Sequence, residues 1–277
     1  MATITPILSV VISTYNALEW LQKTLWSYEQ QLFREFEIII ADDGSSHETA
    51  DFIKDYQKKS TRPIIHVWHQ DDGFQKSTIL NKALLACTTE YVVMSDGDCL
   101  AREDFLQVHH ERRKPGYFLS GGYYKLPMEL SQNISKEDIL TQRCFELEWL
   151  KENGLPVSAK TQKLSSGFFL AGFLEAVTPT NASWNGHNSS GWKSDLIAVN
   201  GFDERMQYGG QDRELGERLI NNGIKSKQIR YSAICLHLDH ARGYKNQESI
   251  DKNKEIRKVT RKENRTTTSY GIKGGSI

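Results

Sequence analysis

The sequence predicts an α/β protein whose core is a parallel, doubly wound sheet flanked by helices. Strand and helix patterns alternate through the first hundred residues, the connections between them are short, and polar clusters follow the strands. Repeated strand-helix-strand units give a parallel sheet, and ligands bind such sheets at the carboxyl ends of the strands. We therefore expect the polar clusters to meet at one rim.

The first strand and helix are predicted within residues 7–28. Residues 7–12 are mostly aliphatic, which is typical of a buried strand. Asn16 and Glu19 have the spacing of a capping box, in which two side chains satisfy the free amides at a helix start. Leucine and tyrosine then recur every three or four residues up to Tyr28, which predicts a helix with one apolar face.

The second strand, at residues 36–40, ends in the acidic pair Asp42 and Asp43. Ser45 and Glu48 follow at the spacing of another helix cap, so a second helix is expected after this turn.

The third and fourth strands are predicted at residues 64–68 and 90–94. Between them, a polar loop at residues 70–75 leads into a segment whose apolar residues recur at helical spacing. This unit completes the alternating half of the chain.

Two aspartates one residue apart, Asp96 and Asp98, follow the fourth strand. On an extended backbone, side chains at i and i+2 point to the same face, so both carboxylates can reach one ion, and Gly97 lets a ligand approach the backbone. Hard oxygen ligands suit Mg²⁺ or Mn²⁺, which proteins usually hold together with phosphate groups. The pair therefore indicates a divalent metal and a phosphorylated substrate, although the same residues also form a common turn.

Charge and cysteine usage narrow the class of protein. The 35 basic and 35 acidic residues of this 277-residue chain balance, so no overall field favours nucleic acid as a partner. No apolar run approaches the roughly 20 residues of a membrane span. Four widely spaced cysteines indicate free thiols in a reducing compartment, so we expect a cytoplasmic protein. The four cysteines are Cys87, Cys99, Cys144 and Cys235.

Five segments resemble a family 2 glycosyltransferase with the GT-A fold, in the order that the family has them. They are residues 9–16, 37–45, 71–81, 95–98 and 200–219. Together they extend over about residues 5–245, and the third and fifth look most like bacterial chondroitin-polymerase and lipopolysaccharide-type members. The resemblance implies a transferase that uses a UDP-sugar.

The resemblance implies a nucleotide site and a metal site. Thr14, Tyr15 and Asp42 match positions that hold the uracil and ribose, where an aromatic ring can stack and a carboxylate can accept the N3 proton. The nucleotide-binding residues that it implies are Thr14, Tyr15, Asn16, Asp42, Asp43, Gly73, Asn81, Asp96 and Gly97. The implied ligands of a Mn²⁺ or Mg²⁺ ion are Asp96, Asp98 and His237, with His240 as the alternative histidine.

The resemblance also makes Asp212 the general base, which takes a proton from the acceptor hydroxyl as that oxygen attacks the anomeric carbon opposite UDP and inverts its configuration. The implied contacts to the acceptor or donor sugar are Asn188, Asp203, Gly210 and Gln211. Two positions depart from the family: Gln211 replaces the usual Glu before the base, and Gln75 stands where related loops often carry Arg.

The implied reaction moves a hexose or N-acetylhexosamine onto a saccharide or lipid-linked saccharide in surface polysaccharide or lipopolysaccharide biosynthesis. We expect one domain at residues 1–245, with a nucleotide-sugar half up to residue 100 and an acceptor and catalytic half after it, and then a charged extension at residues 246–277. Residues 242–265 hold nine basic and four acidic residues. They form either a solvated helix or a patch for peripheral contact with an anionic membrane or acceptor.

Two other functions remain open at this point. A nucleotidyltransferase that makes sugar nucleotides has a similar sheet, but it needs a Gly-rich nucleotide loop, and Thr14, Tyr15 and Asn16 stand in its place. A catalytically silent carbohydrate-binding protein could keep the fold, since fold alone does not establish activity. The presence of Asp96, Asp98 and Asp212 argues against that reading.

Overall fold

A computed structural model describes residues 5–156, 161, 164, 168–178, 181–240 and 246–274. The first half alternates strands and helices: β1 (Leu8–Thr14), α1 (Leu18–Glu29), β2 (Phe36–Asp42), α2 (His47–Lys59), β3 (Ile64–Trp68), α3 (Lys76–Ala86) and β4 (Tyr91–Asp96). The chain continues through β5 (Cys99–Ala101), α4 (Phe105–Arg112), β6 (Tyr117–Ser120), β7 (Tyr124–Lys125), α5 (Met128–Asn133), α6 (Lys136–Leu140), a 3₁₀ turn (Arg143–Phe145), α7 (Leu147–Glu152) and α8 (Phe168–Val177). It ends with β8 (Ser189–Trp192), α9 (Lys193–Ala198), α10 (Gln211–Asn221), β9 (Lys225–Gln228), β10 (Cys235–His237) and α11 (Gln247–Lys262).

The central sheet has seven strands in the order β3-β2-β1-β4-β8-β6-β9. Strands β1 to β4 are all parallel, which confirms the predicted doubly wound half. Strand β8 is antiparallel to both of its neighbours, and β6 pairs with β9 in parallel. The sheet is therefore mostly parallel, and the strands of the second half extend it on one side.

A smaller sheet, in the order β5-β10-β7, lies beside the carboxyl end of β4. Strand β10 is antiparallel to β5 and parallel to β7, and this register sets His237 opposite Cys99. Because Cys99 directly follows Asp98, the pairing brings a histidine from late in the chain to the acidic motif.

Among the described residues, two apolar layers cover the two faces of the large sheet, and a third cluster packs Leu100 and Leu236 of the small sheet against Leu130 and Leu150 of α5 and α7. Val10 and Ile12 of β1 pack in one layer and Val11 packs in the other. Every residue of β1 and β2 is buried, as expected for parallel strands that helices cover on both faces. The four cysteines are buried free thiols, in agreement with the sequence analysis.

Both predicted helix caps are wrong. Asn16 has a left-handed backbone (φ 45°), and its Oδ1 accepts a hydrogen bond from the backbone N–H of Ser46. The Ser45 hydroxyl accepts one from the N–H of Asn16, and neither side chain caps its own helix. The loops after β1 and β2 bind each other because parallel strands bring both to the same rim.

Residues 246–274 pack against the rest of the domain. Helix α11 lies on α10, where Thr260 donates a hydrogen bond to Glu214 and Arg257 pairs with Glu217. The Asn253 amide donates to three successive backbone carbonyls at residues 207–209. Five cations of this segment form ion pairs, namely Lys254, Arg257, Lys258, Arg261 and Arg265. These pairs favour the solvated-helix reading, and the membrane contact stays a prediction. None of the helices in the described ranges is both long and apolar enough to cross a bilayer.

Candidate active site

The carboxyl ends of β1 and β4 open into a cleft of about 1470 Å³, which the loops after β6 and β9 and the start of α10 complete. Thirteen of the predicted site residues line it: Thr14, Tyr15, Asn16, Asp43, Gly73, Asp96, Gly97, Asp98, Gly210, Gln211, Asp212, His237 and His240. Polar clusters far apart in sequence therefore meet at one rim, where parallel sheets bind ligands.

Asp42 and Asn81 lie outside this lining, and their side chains are held in internal hydrogen bonds. The Asp42 carboxylate accepts from the Ser45 N–H at 2.8 Å and binds His66 at 2.9 Å. The Asn81 amide donates to the carbonyl of Phe202 and accepts from its N–H. Both side chains support loops that face the cleft, and their contacts to a nucleotide stay predictions.

Asn188 and Asp203 also lie outside the lining. The Asn188 amide donates to the carbonyls of Gly122 and Ala233. Both oxygens of the Asp203 carboxylate accept hydrogen bonds from Arg205, and Oδ2 also accepts one from the Thr268 hydroxyl. These side chains fix the loop after β6 and the turn before α10, and their contacts to a sugar stay predictions.

Asp98, His237 and His240 form a cluster that fits a divalent metal. The Oδ2 atom of Asp98 lies 2.9 Å from Nε2 of His240 and 3.7 Å from Nε2 of His237. The Nδ1–H of His237 donates to the carbonyl of Leu238, and its Nε2 is turned towards Asp98. Ligand atoms of Asp98, Cys99 and His237 lie within 4.8 Å of one another. Carboxylate oxygen and imidazole nitrogen both bind divalent metals, and both candidate histidines reach Asp98.

Asp96 is held by two partners at the end of β4. Oδ1 of Asp96 accepts from the Ser13 hydroxyl and from Nζ of Lys76, both at 2.7 Å. Burial alone would raise the pKa of Asp96, but the Lys76 ammonium outweighs it and holds this pKa well below the usual range. A Cβ on Gly97 would lie 2.9 Å from the Ser13 carbonyl oxygen, so glycine is required where the two loops touch. The ion pair with Lys76 therefore favours the ionised form of Asp96.

Lys76 is a functional candidate that the sequence analysis missed. It lies in the cleft lining, and although burial lowers its pKa, the charges of Asp96 and Asp212 raise it above the usual value. A positive charge in the first turn of a helix opposes the helix dipole. Its place at the start of α3 was the signal available in the sequence.

Asp212 is the second residue of α10 and follows Gly209 and Gly210, whose φ angles of 102° and 92° favour glycine. Its Oδ1 is buried and has no hydrogen-bond partner among the described residues. Burial raises the pKa of Asp212 to about 6, against the opposing charge of Lys76. A carboxylate with a free oxygen and a pKa close to neutral is suited to accept a proton.

Aromatic rings that the sequence analysis did not single out complete the walls. Tyr123 packs edge-on against His187, with ring centroids 4.6 Å apart, and burial lowers the pKa of His187 to about 4, so that ring is neutral. Phe74 meets Tyr208 in a T-shaped contact at 6.0 Å, which joins the loop before α3 to the loop before α10. These rings offer apolar faces against which a sugar can lie.

Residues 9–131 match the family model described as Glycosyl transferase family 2. These 123 residues, less than half of the chain, resemble glycosyltransferase family 2. Validoxylamine A glucosyltransferase of Streptomyces hygroscopicus subsp. jinggangensis is 25% identical to this chain over 244 residues, which cover 82% of this chain and 54% of that protein. Chondroitin synthase of Escherichia coli is 26% identical over 239 residues, which cover 83% of this chain and 34% of that protein. The chain thus spans about half of the first relative and a third of the second.

Solved structures confirm the fold. The mannosyltransferase PcManGT from Pyrobaculum calidifontis, in complex with GDP-Man and Mn²⁺, superposes with a TM-score of 0.58 over 87% of this chain and 59% of that one. At 16% identity this likeness establishes the GT-A fold and nothing finer.

Proposed function

We propose that this protein is a metal-dependent, inverting glycosyltransferase that moves a hexose or N-acetylhexosamine from a UDP-sugar to a saccharide or lipid-linked saccharide acceptor. The observation that carries the proposal is the carboxylate of Asp212, which lines the same cleft as Asp96 and Asp98 and has one oxygen without a partner among the described residues. Relatives that build polysaccharide, such as chondroitin synthase, support a role in surface polysaccharide or lipopolysaccharide synthesis.

The donor is expected at the ends of β1 and β4. Tyr15 is 46% exposed and donates to Asp71 at 2.9 Å, so its ring is held on the cleft wall where a uracil could stack. Asp43 is anchored by His69 and by the N–H of Gln75. A divalent ion held by Asp96, Asp98 and His237, with His240 as the alternative histidine, would supply the positive charge that a departing diphosphate needs.

Asp212 carries the proton transfer. The acceptor oxygen forms a bond to the anomeric carbon while the bond from that carbon to the UDP oxygen breaks, and UDP leaves with the electron pair. The Asp212 carboxylate takes the hydroxyl proton in the same step, and attack from the side opposite UDP inverts the configuration. Lys76 keeps Asp96 ionised beside this site.

The test measures nucleotide release from a panel of UDP- and GDP-sugars, with Mn²⁺ and with EDTA. We expect UDP release that requires the metal, and a thermal shift with UDP that disappears in EDTA, because Asp96 and Asp98 repel an uncompensated diphosphate. Equal shifts with EDTA and with Mn²⁺ would contradict the metal dependence. Pyrophosphate release would instead support the nucleotidyltransferase, and a GDP preference would correct the donor.

A further inference from the structure

Arg230 lies on the wall of the cleft at the end of β9, and the proposed reaction gives it no role. Its side chain runs along the loop after β6, where a Cβ on Gly122 would lie 3.2 Å from the Cβ of Arg230. Glycine at this position lets the arginine lie against the main chain. Ser120 and Asn185, which are joined by a hydrogen bond of 3.2 Å, line the same part of the cleft.

The side chain of Arg230 has no ion pair with any residue that the structure describes. Its Nε is buried and has no hydrogen-bond partner among the described residues. Lys125, on the same side of the cleft, pairs with Asp239 at 2.8 Å, but no such carboxylate reaches Arg230 in the described ranges. A guanidinium that lines a cleft without a carboxylate partner can bind an anionic group of a ligand.

Arg62 shows that an unpartnered Nε is not sufficient evidence for a ligand site. Its Nε is also buried without a partner, but its guanidinium lies over the ring of Phe36, 5.2 Å from the centroid, and outside the cleft lining. Arg230 differs because it faces a cavity large enough for a saccharide. Arg62 therefore serves as the matched control.

The position of Arg230 separates it from the expected nucleotide. Strand β9 lies three strands away from β4 in the sheet, which is about 14 Å at the usual strand spacing. On the donor side, the carboxylates of Asp43, Asp96 and Asp98 are paired with His69, Lys76 and His240. Arg213, which directly follows Asp212, is exposed on the cleft and has no ion pair in the described part of the chain. Two arginines without an ion pair among the described residues, Arg213 and Arg230, therefore line this cleft.

We propose that Arg230, assisted by Arg213, forms an oxyanion subsite beside Asp212, and that the acceptor saccharide carries a carboxylate or phosphate near the hydroxyl that reacts. The inference rests on the proposed function and adds the chemical class of the acceptor. A guanidinium binds either group through two parallel hydrogen bonds, which fixes orientation as well as position. Such binding would hold the acceptor hydroxyl at the free oxygen of Asp212.

The test measures binding of three probes to the protein saturated with UDP and Mn²⁺: methyl glucoside, methyl glucuronide and methyl glucoside 6-phosphate. We expect an anionic probe to bind about tenfold more tightly than the neutral one, as for one charge-assisted contact. The anionic probe that binds more tightly shows whether the subsite recognises a carboxylate or a phosphate. Equal binding of all three would overturn the proposal.

Variants assign the effect to the arginines. Arg230→Gln should abolish the preference for the anionic probe, Arg230→Lys should keep part of it, and Arg62→Gln should leave it unchanged. Arg213→Gln changes an exposed side chain, so it tests the subsite even if Arg230→Gln does not fold, and it should weaken anionic binding about threefold or more. A preference that survives both glutamine variants would refute the assignment.

UDP affinity is measured separately in every protein. Normal UDP binding without any anionic preference would contradict the subsite alone. Absence of UDP binding would contradict the proposed function, and the same probes without nucleotide would still decide the subsite.

Discussion

The Asp212→Asn variant separates a catalytic base from a helix-start carboxylate. Asp212 lies in the first turn of α10, where negative charge favours a helix, so a purely structural role predicts a less stable variant. Burial instead raises its pKa from 3.8 to about 6, which means that folding disfavours the charged form. Neutral asparagine removes this cost, so we expect a more stable protein at pH 8.

The magnitude follows from the pKa. About two pKa units at about 1.36 kcal/mol each give about 3 kcal/mol, and the partial exposure of Asp212 to the cleft reduces this to about 1–2 kcal/mol. A carboxyl group with a raised pKa costs stability above its folded pKa and none below its unfolded one. The gain should therefore be complete above pH 6 and absent below about pH 4, and it corresponds to about 2–6 °C in melting temperature.

The assay pairs melting curves at pH 8 and pH 4 with UDP release and UDP binding. Transfer should fall about 10²- to 10⁴-fold in Asp212→Asn while metal-dependent UDP affinity stays unchanged, and wild-type kcat should fall below pH 6 as Asp212 is protonated. Asp203→Asn is a control for which the expected change in stability has the opposite sign. Burial raises the pKa of Asp203, but hydrogen bonds from Arg205 and Thr268 hold this pKa below the usual value, so Asp203→Asn should be less stable than the wild type at pH 8. Near-normal turnover in a destabilised Asp212→Asn would refute the mechanism.

Three further variants test other parts of the site. Asp98→Ala should weaken UDP binding in Mn²⁺ about tenfold or more, with little change in melting temperature because a carboxylate on the rim contributes little to the core. Calorimetric titration of UDP with and without EDTA measures this effect. Normal UDP binding by the variant would show that Asp98 is not a metal ligand. Lys76→Met removes the partner of Asp96 and should lower stability by about 1–3 kcal/mol and raise the KM for the donor, with Lys76→Arg as the charge-retaining comparison. Gly186→Ala puts a Cβ 3.1 Å from Oδ1 of Asp212, which should displace the carboxylate. This variant should lower kcat about 10- to 100-fold at unchanged donor KM. An unchanged kcat would argue against Asp212 as the base.

The alternating half of the fold could be predicted from the sequence because its signals are local. The aliphatic runs of β1 and β2 and the helical spacing after them encode which backbone period each segment adopts. Because the carboxyl ends of parallel strands lie at the same edge of a sheet, the sequence is enough to assign Asp43, Asp96 and Asp98 to one rim. The proposed base, Asp212, and the proposed metal ligand, His237, depended on the resemblance, since no local pattern joins them to that rim.

The structure alone decided which polar side chains face the cleft. Asn16 lies where a helix cap was expected but binds a loop 30 residues away, and Asn81 turns inward to Phe202, 121 residues away. Conversely, Lys76 reaches Asp96, and Arg230 reaches the cleft only because β9 pairs beside β6. Periodicity determines the element on which a residue lies. Whether its polar group meets another side chain or a ligand depends on which distant segments the sheet order sets beside it.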